Sequence, residues 1–199
     1  MATAARKKKV AHQGNAKKEV LKAAYSLIKT RGFNGFSFKD ISEMVGIRTS
    51  SIHYYFPTKN DLAKAIIELH RAYFFEQLGT IAASGEDTKG RLRAYADLYY
   101  EMSVDGAYMC PVAMLSAERE ALSETTIEQL TGYYDDQRMW LTEQFEVGKN
   151  DGDIRVIGRS VNAASMFLAT VEGAVILARS VKSSHDFKNI INQMLNQLI

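Results

Sequence analysis

Residues 37–56, SFKDISEMVGIRTSSIHYYF, constrain the fold of this chain more than any other feature. They read as helix, glycine turn, helix. Ser37 can cap a helix, with Asp40 three residues on in the place of a capping-box acid. Phe38, Ile41 and Val45 recur at helical spacing as its inward face. Gly46 stands where a left-handed residue has to end that helix, a conformation that costs glycine nothing. Ile47 packs the turn, and a second short helix runs from about Thr49 to Tyr55. Phe56-Pro57 stops it, because the residue before a proline is pushed out of the α region. Ile52 and Phe56 point inward, leaving Arg48, Thr49, Ser50, His53 and Tyr54 outward. A helix that lies in the major groove of DNA needs this division, with an apolar anchor beneath and side chains above that reach bases and phosphates. On this pattern alone, a plain helical hairpin is the alternative.

The flanking sequence is helical in period throughout. Val20, Ala24, Leu27 and Ile28 make one stripe of a first helix beginning near Ala16 and stopped by Gly32, with Gly35 keeping the chain turning. Thr58 caps a long helix, Asp61 taking the box position, with Leu62, Ile66, Leu69 and Tyr73 as its stripe to about Ser84. Further helices are predicted at about 88–104, 112–121, 123–149, 159–182 and 185–198, with a kink at Asp105-Gly106 and Pro111 and a turn at residues 150–153. No period-2 strand pattern and no repeat is visible, and the chain has only two prolines to interrupt helices. The expected fold is therefore all-α, with about nine helices.

The segment from about Lys17 to Tyr73 resembles the TetR family of repressors. The likeness rests on Gly32-Phe33, then Ser37, Asp40-Ile41-Ser42 and Gly46-Ile47, then Ile52-His53-Tyr54-Tyr55-Phe56-Pro57-Thr58-Lys59-Asn60-Asp61-Leu62. Two positions depart from the family pattern: His53 stands where tyrosine is usual, and Tyr55 where histidine is frequent. The resemblance implies an N-terminal three-helix DNA-binding domain at 16–75, with the helix-turn-helix at 37–56, and a helical effector-binding and dimerisation domain at 76–199. It also implies a palindromic double-stranded DNA operator, a homodimer and a small-molecule effector as partners. Ser37, Lys39, Tyr54 and Lys59 should then grip phosphates, while Thr49, Ser50 and His53 face base edges and Arg48 sits at the rim.

Charge fits a polyanion-binding head. Residues 1–71 hold 14 basic against 5 acidic side chains, a balance of +9, whereas residues 72–199 balance to −7. Residues 1–15, with Arg6, Lys7, Lys8 and Lys9 consecutive, read as a disordered basic arm that either tracks the DNA backbone or stays solvated. The four histidines lack metal-ligand spacing, and one cysteine excludes an internal disulfide, so no cofactor or metal is expected. No nucleophile–base arrangement, phosphate-cradling glycine loop or carboxylate pair suggests an enzyme. A helical interaction protein without an effector is the other class to weigh. Residues 161–178, the most apolar stretch, are broken by Asn162, Ser165 and Glu172, which favours a core helix over a membrane span and a cytoplasmic location.

The last two helices are apolar on more than one face. By the family likeness they should build a four-helix dimer interface, with Val171, Val175, Phe187, Ile191 and Met194 as candidates and Gly173-Ala174 allowing close approach. The body is rich in large adaptable side chains, which serve either as core or as the wall of an apolar effector pocket. Tyr73, Met102, Tyr108, Cys110, Met114, Tyr133, Trp140 and Phe167 are the candidates, with Glu172 as a polar anchor for ligand or an internally paired acid. Cys110 opens a helix, where the dipole would lower its pKa. Some family members sense electrophiles or oxidants through a cysteine so placed, making thiol sensing the alternative mechanism.

Overall fold

The computed structural model describes residues 2–103 and 109–198, with residues 2–14 by backbone alone. Tyr108 and the Asp105-Gly106 kink lie outside the described residues. Nine α-helices and one 3-10 turn account for the described secondary structure, and no strand occurs among these residues. The order is α1 (Ala2–Arg31), α2 (Phe38–Val45), α3 (Thr49–Tyr55), α4 (Lys59–Ala82), α5 (Thr88–Met102) and α6 (Pro111–Ala117). A 3-10 turn (Arg119–Ala121) leads into α7 (Glu124–Asp151), α8 (Ser160–Val181) and α9 (Ser184–Asn196).

Local chemistry sets most of these boundaries. The Asp40 carboxylate accepts from the Ser37 backbone N–H at 2.8 Å and from the Ser37 hydroxyl at 2.6 Å, closing the turn before α2. Gly46, at φ 73°, donates its N–H to Ser42 and ends that helix. Thr58 and Asp61 form the same reciprocal cap on α4. Pro111 occupies the first turn of α6, where its missing N–H costs nothing. Two elements differ from the expectation: the helix expected at about 112–121 stops at Ala117 before the 3-10 turn, and α1 is helical back to Ala2, where the sequence suggested an unstructured arm at 1–15. Alanine and lysine are good helix formers, and Gly14 is the only breaker before Asn15.

α1 packs on α2, α3, α4 and α6, and α4 also touches α5, α6 and α7. The core is continuous from Val20, Ile28, Ile41 and Ile52 at one end to Phe145, Phe167 and Phe187 at the other. α4 is the spine shared by both ends, unbroken across the boundary expected at residue 75. Its buried face carries an i, i+4 row of Leu62, Ile66, His70, Phe74 and Leu78, flanked by Ala63 and Ile67. Leu69 and Tyr73, expected on that stripe, are about half exposed. A histidine sits in the buried row, so apolar residues alone misplace the face by one residue. α8 is long and apolar enough to cross a bilayer, yet here it packs between α7 and α9 with Phe167, Val171, Ala174 and Val175 buried.

Candidate nucleic-acid interface and the body behind it

The second helix of the turn presents the expected division. Ile52 and Phe56 are buried, while Arg48, Ser50, His53 and Tyr54 are exposed and Thr49 is half-buried. Tyr54 is 74% exposed, its ring edge-on to Tyr55 at 5.3 Å. His53 sets its ring edge-on to Phe38 at 4.7 Å, and Nδ1 donates to the Pro57 carbonyl at 3.2 Å. The carbonyl can only accept, so Nδ1 carries the proton of that bond. Lys39 is well exposed on α2, 3.9 Å from the Glu43 carboxylate. The Ser37 hydroxyl gives its proton to Asp40, which leaves its lone pairs but no free donor.

Lys59 lies differently from the expectation. Its ammonium donates to the Phe36 carbonyl and sits 4.8 Å and 4.2 Å from the centroids of the Phe33 and Phe36 rings. Burial draws its pKa below the ordinary lysine value, with the Glu118 and Asp40 carboxylates acting against that. The side chain staples the start of α4 to the α1–α2 loop instead of reaching out beside it. The family motif reads the same whether this lysine turns in or out.

The effector candidates are not gathered around one cavity. Tyr73 borders a groove of about 550 Å³ between α1 and α4, with Leu21, Tyr25 and His70. Trp140 borders a cleft of about 810 Å³ between α4 and α7. Tyr133 and Phe167 are fully buried, Cys110 is buried, and Met102 and Met114 are half-buried against the core. Glu172 stands among the hydroxyls of Tyr99 and Tyr134, and burial pushes its carboxyl up to about 7 against their pull. Among the described residues no group of three His, Cys, Asp or Glu could hold a metal ion.

Residues 20–66 match the model of the bacterial regulatory proteins of the tetR family. A transcriptional regulator of the TetR family from Agrobacterium tumefaciens has a solved structure of TM-score 0.89 to this one. The two are 30% identical, over 94% of this chain and 98% of that one. The chain belongs to the TetR family of transcriptional regulators. The HTH-type transcriptional repressor NemR of Escherichia coli (strain K12) is 22% identical over 92% of this chain and 93% of its own. The reduced form of E. coli NemR has TM-score 0.82, over 93% of this chain and 97% of that one.

For a TetR-family chain, the decisive question about the last two helices is which side faces out. Val171, Val175, Phe187 and Ile191, expected at the dimer interface, are buried inside this chain, at 4% exposure or less. They close the body by packing α8 and α9 on each other and on α5; Phe187, for example, stacks on Tyr100 at 5.0 Å. Only Met194 of the five borders an outward groove, with Met166, Thr170, Asn189, Ile190 and Gln193. The exposed apolar side chains of α8 are Met166, Ile176, Leu177 and Val181. They fall on the opposite stripe, through Gly173, where an added Cβ would meet nothing.

The regulator's head is latched to its body by polar contacts that no local pattern announces. Glu118, after α6, accepts the N–H of Phe33 at 2.8 Å and of Asn34 at 2.7 Å. This is why Gly32 is required: it holds φ at 77°, and a Cβ there would lie 2.0 Å from the Glu118 carboxylate. Asn60 accepts the Ser123 N–H at 2.8 Å and the Thr126 hydroxyl at 3.0 Å, tying α4 to α7. His70 lies 3.0 Å from the Tyr25 hydroxyl of α1 and 3.3 Å from the Cys110 sulfur of the body. Burial, with the Lys29 charge adding to it, lowers the pKa of His70 to about 4, so the ring is neutral. The helix N-terminus was expected to lower the Cys110 pKa. The Ala113 and Val112 N–H groups do pull that way, but burial outweighs them and pushes the thiol up to about 12.

Proposed function

We propose that this regulator is a homodimeric, cytoplasmic repressor that binds a palindromic double-stranded operator and is released when a small, mostly apolar molecule binds its body. One observation carries the reading: the exposed polar face of α3 is fixed to the start of an α4 that runs unbroken into the core of the body. Thr49, Ser50 and His53 meet base edges. Lys39, Arg48, Tyr54 and Ser37 lie along the phosphates, and the backbone start of α4 adds N–H groups beside them. The dimer forms through the outward stripe of α8 and the adjoining face of α9, setting two heads roughly 34–36 Å apart, one turn of DNA. An effector that prefers a displaced α4 weakens DNA binding by its differential affinity, typically about 1–3 kcal/mol.

Fluorescence anisotropy on fragments of the chain's own upstream region tests this. Tight binding of one fragment, falling linearly with log salt, is expected. A protein that stays monomeric at micromolar concentration, or retains no fragment at low salt, overturns it. Thiol sensing through Cys110 is disfavoured by the burial of the sulfur and its raised pKa, since the thiolate is the reactive form.

A further inference from the structure

The core between α5, α7 and α8 contains polar atoms that its own chain leaves unsatisfied. Gln137 is fully buried, and its Oε1 accepts from the Tyr95 hydroxyl at 2.5 Å and the Tyr99 hydroxyl at 2.8 Å. Its Nε2 has no partner, nor has the hydroxyl of Tyr133, which is equally buried, nor Oε1 of Glu172. Leaving a buried polar group unpaired forfeits its hydration without a replacement bond, so three in one core mark a place where something else completes the bonding. The rings of Tyr95 and Phe167, 5.9 Å apart, and the ring of Tyr133 are buried in the same core.

A second observation points to the same place from outside. The cleft between α4 and α7 is lined by three carboxylates, Glu68, Asp136 and Glu143, against the single guanidinium of Arg71, with Phe75 and Trp140 as apolar surface. Trp140 stacks on Tyr95 at 5.7 Å and an interplanar angle of 16°. Tyr133, Gln137 and Trp140 share one face of α7, at i, i+4 and i+7. Two stacked rings therefore separate an acidic aromatic mouth from an orphaned acidic interior. Acid with aromatic faces is the environment that binds organic cations, through charge and through the negative faces of the rings.

We infer that the effector of this regulator is a hydrophobic organic cation, admitted at the α4–α7 cleft past Trp140, with its charged N–H groups on Glu172 and on the Tyr133 hydroxyl oxygen. The inference rests on the effector reading above and adds its chemical class. Entry has to displace rings that touch α4: Phe74 packs edge-on to Tyr95 at 5.7 Å and Phe75 to Tyr133 at 6.3 Å. It also strains the Arg71–Asp136 ion pair that joins α4 to α7. Both pressures fall on the helix whose first turn carries the DNA-binding head.

Trp140 is the only tryptophan, so its emission reports on the cleft. The test titrates the full-length protein at pH 8 with 9-aminoacridine, a cation, and with acridine, the same ring without charge, following Trp140 emission and calorimetric heat. Operator binding is measured on the same samples. The cation is expected to bind at least tenfold more tightly than the neutral ring, and Glu172→Gln to remove that preference while leaving acridine binding unchanged. Tyr133→Phe, which removes an orphaned hydroxyl and keeps the ring, should weaken the cation several-fold with the fold intact by circular dichroism. Equal affinity for both rings, a preference untouched by either variant, or no binding of either ring overturns the inference. Intact operator binding in those cases leaves the repressor reading standing, and its loss in the parent protein would sink that reading instead.

Discussion

Replacing Glu172 by Gln isolates an ionisation cost held inside the body. Burial raises the carboxyl from the ordinary 4.5 to about 7, so between those values the folded chain keeps a proton that the unfolded chain has released. Stability from this group is therefore complete below pH 4.5, falls as pH rises through the window, and is lowest above pH 7. At 1.36 kcal/mol per pH unit the loss is about 3 kcal/mol. His70 works with the opposite sign. Its pKa falls from 6.5 to about 4, so its stability is complete above pH 6.5 and is lost as pH falls toward 4, again by about 3 kcal/mol. Between pH 4.5 and 6.5 the two contributions nearly cancel in the parent, which conceals both. Glu172→Gln removes one of them. Thermal unfolding of parent and variant from pH 4.5 to 8.5 should show a gap that grows with pH in favour of the variant and levels above pH 7. For a chain of this length about 3 kcal/mol corresponds to roughly 6–12 °C. A gap that is constant across pH, or that grows toward acid, would refute the placement of Glu172 as a buried, partly orphaned acid.

Other substitutions test the remaining assignments. Lys59→Ala should cost about 1–2 kcal/mol in urea unfolding, from the lost staple between the Phe33 and Phe36 rings, and leave the salt slope of operator binding unchanged. Lys39→Ala should do the reverse, with little change in stability and a slope smaller by about one; a slope unchanged in Lys39→Ala but reduced in Lys59→Ala would show that the lysines exchange roles on DNA. Ile176→Glu, on the outward stripe of α8, should yield a folded monomer by sedimentation. Val175→Glu, one position earlier, should unfold the body instead, because it buries an unpaired charge. Cys110→Ser should match the parent in operator affinity before and after mild oxidant, and an oxidant response confined to the parent would restore the thiol-sensing mechanism.

What sequence alone determined here are the features that depend on neighbours within about four residues. The Ser37–Asp40 and Thr58–Asp61 caps, the left-handed Gly46 and the stop at Phe56-Pro57 are local hydrogen bonds and local sterics. They fixed where the second helix begins and ends, where the third ends and where the fourth begins, and with them the outward residues of the recognition helix. Helical period also identified α8 as doubly apolar, but period cannot say which apolar side meets the chain's own core. That choice depends on α5, α7 and α9, which arrive from far along the chain. It placed Val171 and Val175 inside and left Ile176 and Leu177 out. The same distance separates Glu118 from the Phe33 and Asn34 amides, and Tyr25 from His70 and Cys110. Burial likewise overrode the local dipole at Cys110 and turned Lys59 onto a carbonyl 23 residues away. Desolvation and long-range hydrogen bonding are properties of the packed molecule, so these assignments had to wait for the tertiary structure.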